Sequence, residues 1–343
     1  FVRANPNRMA LVVASDLAKY ELASTGEYTQ GAGAVAILVK ASPRLLAFNS
    51  HIGVAMQSVN DFYKPRRSFN KVSLLQQAAT LLGTSINKED AANLVENANL
   101  PFWNNLAQQV ELHQDEPVFD GPYSNDCYQD RIGEALENFR EKQEMQVLAR
   151  WQKMIFHLPY AYQGRRMITA SWYNWMHETG QQEKIKATLK ELNLTEASTP
   201  EKIKALSKSP LYKEFISSYL AQGEKASSLI GNMYTASIFM SLLSLLKSAQ
   251  AENEDLRDKR LGFFAYGSGS KAKVLEAQVQ TLWQEPLANI NLFDVLSKRH
   301  AISFNQYEKW HKGQLNEPMV AKQAIKLERV GTEGTTLGYR YYS

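Results

Sequence analysis

The stretch NMYTASIFMSLLSLLK, residues 232–247, is apolar nearly all round. A helix with one apolar stripe can cover one face of a core, whereas a helix that is apolar on every side has to be enclosed by other elements. The sequence therefore predicts a buried helix at the centre of the fold.

Strands are predicted on both sides of this helix along the chain. Residues 9–15 and 33–40 are continuous apolar runs, the pattern of strands that are buried on both faces. Further strands are predicted at residues 45–51, 152–159, 260–266, 272–280 and 326–342. Because strands alternate with helices, we expect an α/β fold built in layers.

Residues 66–125 interrupt this alternation with a predicted helical insertion and a loop. Helical spacing recurs over residues 72–113, with Asn87 as the expected N-cap of one helix and Pro101 at the start of another. The following DGPY segment is predicted to be loop.

Composition excludes several classes of protein. The chain is 44% hydrophobic and 22% charged, which is typical of a globular protein. A net charge of +4 is too diffuse to indicate a nucleic-acid site, although it tolerates an anionic ligand. No apolar run is long enough to cross a bilayer, so no membrane association is expected. The single cysteine, Cys127, cannot form an internal disulfide and favours a reducing compartment such as the cytoplasm.

Three polar features stand at the ends of predicted elements. His157 follows the strand MIF, where an imidazole could donate to an oxyanion or carry a proton, or could simply be a buried histidine bonded to a carbonyl. Asn232 opens the apolar helix and could be its N-cap or hold a carbonyl oxygen. The segment from Gly267 to Ser270 could be a tight hairpin or offer backbone N–H groups to an oxyanion.

The remaining reactive side chains, Cys127 and two adjacent arginines, give weaker indications of a site. Cys127 lies between Asp126 and Asp130, whose charges disfavour a thiolate, so it is not expected to be a nucleophile. Arg165 and Arg166 could pair with phosphate or form a solvated helix face. No metal-ligand pattern is apparent, and no metal or other cofactor is expected.

Six segments, in order along the chain, resemble the hydroxymethylglutaryl-CoA synthase family. They are LVVASDLAKY, GEYTQGAGAVAILV, DFYKP with the later DGPYSNDCY, MIFHLPY, GNMYTAS and FFAYGSGS. The family condenses acetyl-CoA with acetoacetyl-CoA: a cysteine is acetylated, a glutamate removes a methyl proton, and the enolate attacks the ketone. Hydrolysis then releases hydroxymethylglutaryl-CoA.

The resemblance implies roles for seven residues of this sequence. His157 would polarise the acetoacetyl ketone and protonate the new alkoxide. Asn232 would hold the thioester oxygen, and the backbone N–H near Ser268 would complete an oxyanion hole. Tyr234 and Thr29 would also contact substrate, while Arg166 and Tyr162 stand at positions that bind CoA.

The same resemblance implies a thiolase-like αβαβα fold with an incomplete first half. Residues 1–65 would be the remnant of that half, residues 66–125 the insertion and loop, and residues 126–343 the second half. The family's nucleophilic cysteine and glutamate would precede residue 11, so we expect a further segment or chain to carry them. A homodimer is also implied, and the present chain by itself is expected to be inactive and to expose unpaired apolar strand edges.

The sequence departs from the family pattern at three positions. Tyr162 stands where a lysine is usual, Tyr28 where a proline is usual, and Lys271 where a small or apolar residue is common. Two rival functions stay open: a β-branching synthase that takes acyl groups from carrier proteins, and a non-catalytic homologue that serves as a scaffold. The insertion at residues 66–116 could bind a partner or be a passive surface elaboration.

Overall fold

A computed structural model describes residues 1–98, 100, 103, 109–114, 116–143, 146–315, 325 and 327–343. The strands are β1 (Met9–Ala18), β2 (Gly31–Lys40), β3 (Leu46–Met56), β4 (Phe62–Tyr63), β5 (Arg66–Asn70), β6 (Gln109–His113), β7 (Val118–Phe119), β8 (Lys153–Phe156), β9 (Arg260–Gly267), β10 (Lys271–Val279), β11 (Leu327–Val330) and β12 (Arg340–Tyr342). The helices are α1 (Lys71–Leu81), α2 (Lys88–Glu96), α3 (Gly121–Gln143), α4 (Val147–Arg150), α5 (Gln163–Met167), α6 (Thr169–Glu178), α7 (Gln182–Glu191), α8 (Thr199–Leu206), α9 (Pro210–Tyr219), α10 (Ala221–Ile230), α11 (Ser237–Ala251), α12 (Leu292–Ser297) and α13 (Phe304–His311). The α/β class predicted from the sequence is confirmed.

The chain forms two compact units. The first consists of Phe1–Tyr63 and Glu116–Ala301, and the second of Lys64–Asp115 and Ile302–Ser343. The division into residues 1–65, 66–125 and 126–343 stays a prediction. No described helix combines the length and the apolar character that a membrane span requires.

A four-stranded sheet in the order β3-β10-β9-β8 lies at the centre of the first unit. Strands β8 and β9 are parallel, while the pairs β9–β10 and β10–β3 are antiparallel. Alternate residues face opposite sides: Phe156 and Phe264 stack in the cluster that includes α3, whereas Ile155 and Phe263 belong to the cluster that includes α11. Strands β8 and β9 bury residues on both faces, so this part of the sheet is a layer between helices.

The buried helix predicted at residues 232–247 is α11, but it begins five residues later than expected. Tyr234 has φ = 43°, in the left-handed region, so a right-handed helix cannot start before it. Ten residues of α11 are buried, and four of them are serines. Ser244 accepts a hydrogen bond from the Ala226 amide at 3.0 Å and donates to the Gln222 carbonyl at 2.6 Å, so small polar residues join α11 to α10.

The two apolar runs near the start of the chain form strands, as predicted, but they are not buried on both faces. Strands β1 and β2 pair with each other as a two-stranded antiparallel sheet. Leu11, Val13 and Leu38 are 68%, 61% and 57% exposed. Ala14 and Val35 pack against Met233 and its neighbours in a smaller cluster, so part of this sheet is covered by other residues.

The second unit contains two antiparallel pairs, β5–β6 and β11–β12, together with α1, α2 and α13. The predicted N-cap Asn87 is confirmed, because its side chain accepts a hydrogen bond from the Asp90 amide at 2.8 Å. The helix expected from Pro101 lies mostly outside the described residues, and its last part is strand β6. In the first unit, the loop predicted around DGPY is wrong, since α3 begins at Gly121.

A buried ionic cluster joins strand β10 to its neighbours. Glu276 is 1% exposed and accepts hydrogen bonds from Arg150, Arg260, Trp151 and Asn49. Burial opposes ionisation and raises the pKa of this carboxyl, but the four donors outweigh it and hold the pKa at about 2. The carboxylate therefore stays charged inside the core.

Replacing Glu276 with Gln should destabilise the first unit by about 3 kcal/mol at pH 7, because two arginines lose their buried counter-charge. The folded-state pKa of about 2 lies below the ordinary value of 4.5, so the contribution is complete above pH 4.5 and disappears as the pH falls towards 2. Urea denaturation midpoints of the wild type and the variant across this range would measure it. The matched control is Glu285→Gln, which breaks an exposed pair with Arg44 and should change little. An equal effect of the two substitutions would contradict this account.

Candidate functional site

A large cavity opens in the first unit beside the ends of β8 and β9. Its volume is about 1140 Å³, enough for a ligand larger than a typical small molecule. Six of the predicted site residues line it: His157, Asn232, Ser268, Tyr234, Thr29 and Arg166. The histidine, the asparagine and the glycine-rich turn therefore share one space.

His157 is fixed through its backbone at the end of β8. Its amide donates to the Phe264 carbonyl at 2.9 Å, which continues the β8–β9 pairing by one residue. Its carbonyl accepts a hydrogen bond from the Tyr128 hydroxyl at 2.6 Å. Burial lowers the pKa of the imidazole from 6.5 to about 4, so the ring is neutral at pH 7. A neutral ring offers one N–H donor and one acceptor to whatever occupies the cavity.

Asn232 is not the N-cap of α11, contrary to one interpretation of its position. The N-cap is Ala236, and Asn232 lies in the segment before the helix. Its side-chain oxygen accepts a hydrogen bond from the Tyr234 amide at 2.8 Å, and its Nδ2 donates to the Tyr20 hydroxyl at 3.2 Å. The side chain is 1% exposed, so these bonds hold the amide in one orientation in the cavity wall.

Two glycines bring Asn232 close to Thr29. A Cβ on Gly231 would lie 1.9 Å from the Gln30 carbonyl oxygen, and a Cβ on Gly31 would lie 2.4 Å from the Ile230 oxygen. Neither position tolerates a side chain, so the two backbones touch. The Asn232 amide then donates to the Thr29 carbonyl at 2.8 Å, which places these residues in one wall of the cavity.

The segment from Gly267 to Ser270 is the hairpin between β9 and β10, with Lys271 paired to Gly267. Ser268 is exposed and lines the cavity. Asp61, which is 0% exposed, accepts hydrogen bonds from the Gly269 amide at 2.8 Å and from the Tyr266 hydroxyl at 2.5 Å. A buried carboxylate therefore holds the hairpin in place.

The sequence prediction missed Asp61, Tyr266 and Tyr128 as parts of the site. Tyr266 stacks on Tyr128 with 4.3 Å between ring centroids, and Tyr128 in turn holds the His157 carbonyl. Burial raises the pKa of Tyr128 and of Tyr266, and the Asp61 carboxylate raises that of Tyr266 further. Each of the three lies within a segment that resembles the family, but the amino-acid sequence of those segments does not indicate that they are in contact.

The two adjacent arginines have different surroundings. Arg165 forms an ion pair with the buried Glu224, with N–O distances of 2.9, 2.9 and 2.6 Å, and its guanidinium lies 4.5 Å from the centre of the Tyr162 ring. Arg166 is exposed and lines the cavity. Of the two, Arg166 is placed to meet an anionic ligand. Tyr162 lies against the neighbouring polar pocket rather than in the cavity itself.

The one cysteine is buried within the first turns of α3. Its neighbour Tyr123, on the same helix, has a raised pKa because of hydrogen bonding to Cys127. In the described residues, no group of three or more His, Cys, Asp or Glu side chains is placed to hold a metal ion.

Residues 108–328 match the family model described as hydroxymethylglutaryl-coenzyme A synthase C terminal. Hydroxymethylglutaryl-CoA synthase of Haloferax volcanii is 26% identical over 316 residues, which cover 90% of this chain and 60% of that protein. The Enterococcus faecalis enzyme is 26% identical over 307 residues, covering 90% and 58%. The chain thus spans about 60% of the length of these relatives. A solved structure of MvaS in complex with 3-hydroxy-3-methylglutaryl coenzyme A superimposes with a TM-score of 0.67 at 26% identity, covering 99% of this chain and 68% of that one.

The imidazole of His157 should titrate with a midpoint near pH 4 in an NMR experiment, because burial disfavours the charged ring. The resonance is assigned by its loss in His157→Gln. Since the unfolded chain takes up this proton near pH 6.5, native stability should fall between pH 6.5 and pH 4. A midpoint close to 6.5 would show that the ring is solvated and the buried site is wrong.

Proposed function

The chain belongs to the hydroxymethylglutaryl-CoA synthase family, and from that premise we propose that it takes part in condensing acetyl-CoA with acetoacetyl-CoA to hydroxymethylglutaryl-CoA. The chain supplies the part of the site that binds the acetoacetyl group and its CoA. The observation that carries this proposal is the single cavity lined by His157, Asn232 and the hairpin residue Ser268. A further segment or chain contributes the acetylated cysteine and the glutamate base.

His157 donates its ring N–H to the ketone oxygen of acetoacetyl-CoA. When the enolate carbon attacks the ketone carbon, a C–C bond forms and the ketone oxygen becomes an alkoxide, which takes the proton from one ring nitrogen while the other ring nitrogen gains a proton. The proton that the glutamate removed from the acetyl methyl group balances the step, so the ring ends neutral. The neutral imidazole, a consequence of its pKa of about 4, supports hydrogen-bond donation before the attack. The negative charge that develops on the oxygen then favours proton transfer.

Asn232 binds the thioester oxygen of the acetoacetyl group, with Thr29 and Tyr234 lining the same wall. Its fixed orientation supports this role, because a donor that is already oriented stabilises a polar group without the cost of ordering it. The backbone N–H near Ser268 completes the oxyanion hole for the acetyl group. The bonds from Gly269 and Tyr266 to Asp61 support a rigid hairpin at that point.

Arg166 contacts the anionic part of CoA at the cavity opening, and Tyr162 contacts CoA beside Arg166. We place this reaction in the mevalonate pathway and in the cytoplasm, and we expect the working protein to be a homodimer. The single buried cysteine is compatible with a reducing compartment.

The proposal is tested with the protein that carries the cysteine and glutamate segment. His157→Ala should lower the condensation rate by about 10²- to 10⁴-fold, because a positioned proton donor is lost. Acetyl transfer to the cysteine, followed with radiolabelled acetyl-CoA, should be unchanged. Asn232→Asp keeps the acceptor for the Tyr234 amide but removes the donor, and it should weaken acetoacetyl-CoA binding.

His177→Ala is the matched control, since this histidine is exposed and outside the cavity. Condensation near the wild-type rate in His157→Ala would refute the assigned role. Separately, robust acetyl-enzyme formation by the 343-residue chain alone would refute the need for a further segment.

A further inference from the structure

A smaller cavity lies at the other ends of β8 and β9, away from His157. Its volume is about 430 Å³, within the range of small-molecule sites. Gln152, just before β8, and Arg260, the first residue of β9, line it, whereas His157 follows the last residue of β8. The described residues that line it include none that line the larger cavity, so it is a separate candidate site.

Positive side chains dominate the lining of this smaller cavity. Arg150, Lys259 and Arg260 line it, and Asp258 is the one acidic residue among the described residues that do so. We refer to it as the basic cavity. Its lining is mainly polar, in contrast to the apolar lining of most small-molecule pockets. These features favour an anionic ligand over an apolar one.

The two arginines of the basic cavity share one buried carboxylate. One oxygen of Glu276, which is 1% exposed, accepts a hydrogen bond from Arg150 at 2.7 Å and another from Arg260 at 2.6 Å. The two guanidinium groups are therefore neighbours, and one carboxylate cannot balance both charges. The Nε and the second terminal nitrogen of Arg260 donate to no described residue, and this side chain is 40% exposed. Its remaining N–H groups are available to a ligand in the basic cavity.

The other charges around the basic cavity do not cancel this excess. Lys259 is exposed, and its ammonium forms no ion pair with a described residue. Hydrogen bonds from Arg257, and to a lesser degree the charge of Lys259, lower the pKa of Asp255 to about 2, but this carboxylate is already paired with Arg257. The three positive groups of the lining thus face Asp258 and Glu276, which leaves one positive charge unbalanced.

We propose that the basic cavity binds the phosphate group of a small phosphate ester, with Arg260 and Lys259 as its direct contacts. A guanidinium presents planar paired N–H donors that match phosphate oxygens, and a lysine adds a point charge. The volume of about 430 Å³ is more than ten times the roughly 30 Å³ that one water molecule occupies, so it has room for a phosphate and an attached organic group. This site is independent of the proposed condensation.

Isothermal titration of the 343-residue chain with glycerol 3-phosphate at low salt tests the proposal. Lys259→Gln should weaken binding about tenfold, because a charge-assisted contact is lost, and Lys259→Arg should keep the affinity, because it retains the charge. Lys208→Gln is the matched control, since Lys208 is exposed and lines neither cavity.

Asp258→Asn should act in the opposite direction. It removes the acidic residue of the lining and should strengthen binding about twofold to fivefold, because a like charge no longer repels the phosphate. Asparagine tolerates the left-handed backbone at this position, where φ is 59°, so the substitution leaves the local fold intact.

Several outcomes would overturn the inference. They are absence of binding by the folded wild-type chain, unchanged affinity in Lys259→Gln, weaker binding in Asp258→Asn, and an equal loss in Lys208→Gln. Arg166→Gln should leave the affinity for glycerol 3-phosphate unchanged, and a loss as large as that in Lys259→Gln would place the phosphate in the larger cavity instead. Tighter binding of succinate, a dicarboxylate of similar charge, would contradict the preference for phosphate. Thermal melting of each variant verifies that a change in affinity is not a loss of folding.

Discussion

The contact between the backbones at Gly31 and Gly231 positions one whole wall of the cavity. These two residues come from distant parts of the chain, and each would collide with a carbonyl oxygen if it carried a side chain. Because the backbones touch, the turn that carries Thr29 lies directly beside the segment that carries Asn232. A side chain at either position would push the two elements apart, because its Cβ would lie 1.9 or 2.4 Å from a carbonyl oxygen, and the bond from the Asn232 amide to the Thr29 carbonyl would be strained.

A second part of the cavity wall depends on a buried carboxylate. Asp61 holds the β9–β10 hairpin through the Gly269 amide and Tyr266, and the stack of Tyr266 on Tyr128 continues this connection to the His157 carbonyl. The hairpin and His157, both proposed to bind oxygen atoms, are thus held by neighbours with no proposed chemical role. Such support is what a site needs when it has to present donors in one orientation before the substrate arrives.

The electrostatics of the cavity support the thioester substrate proposed for it. The imidazole is neutral because burial lowers its pKa, and the cavity lining carries little net charge. Donors held in one orientation stabilise charge that develops at the position they point to during a reaction.

Recognition of the family required only the order and spacing of short segments, and residues 108–328 do match its C-terminal model. The α/β class also followed from the sequence, because apolar runs and helical spacing are local patterns. Burial did not follow: the runs at β1 and β2 have the composition of enclosed strands, yet Leu11 and Val13 are largely exposed. An apolar composition shows that a strand can be buried, but it does not show whether another element covers that strand.

The sequence by itself determined which residue types stand at the ends of strands and helices: His157, Asn232 and the glycine turn. It could not determine whether Asn232 is the N-cap of the helix, because polar residues occur both at caps and in the segments before them. The left-handed backbone at Tyr234 excludes the cap, since the helix begins only after that residue. The sequence could not find Asp61 or pair Tyr28 with Tyr160, because these contacts join segments about 100 to 200 residues apart. Only the packed fold brings such segments together, since their distances are set by the sheet and by the close approach of two backbones.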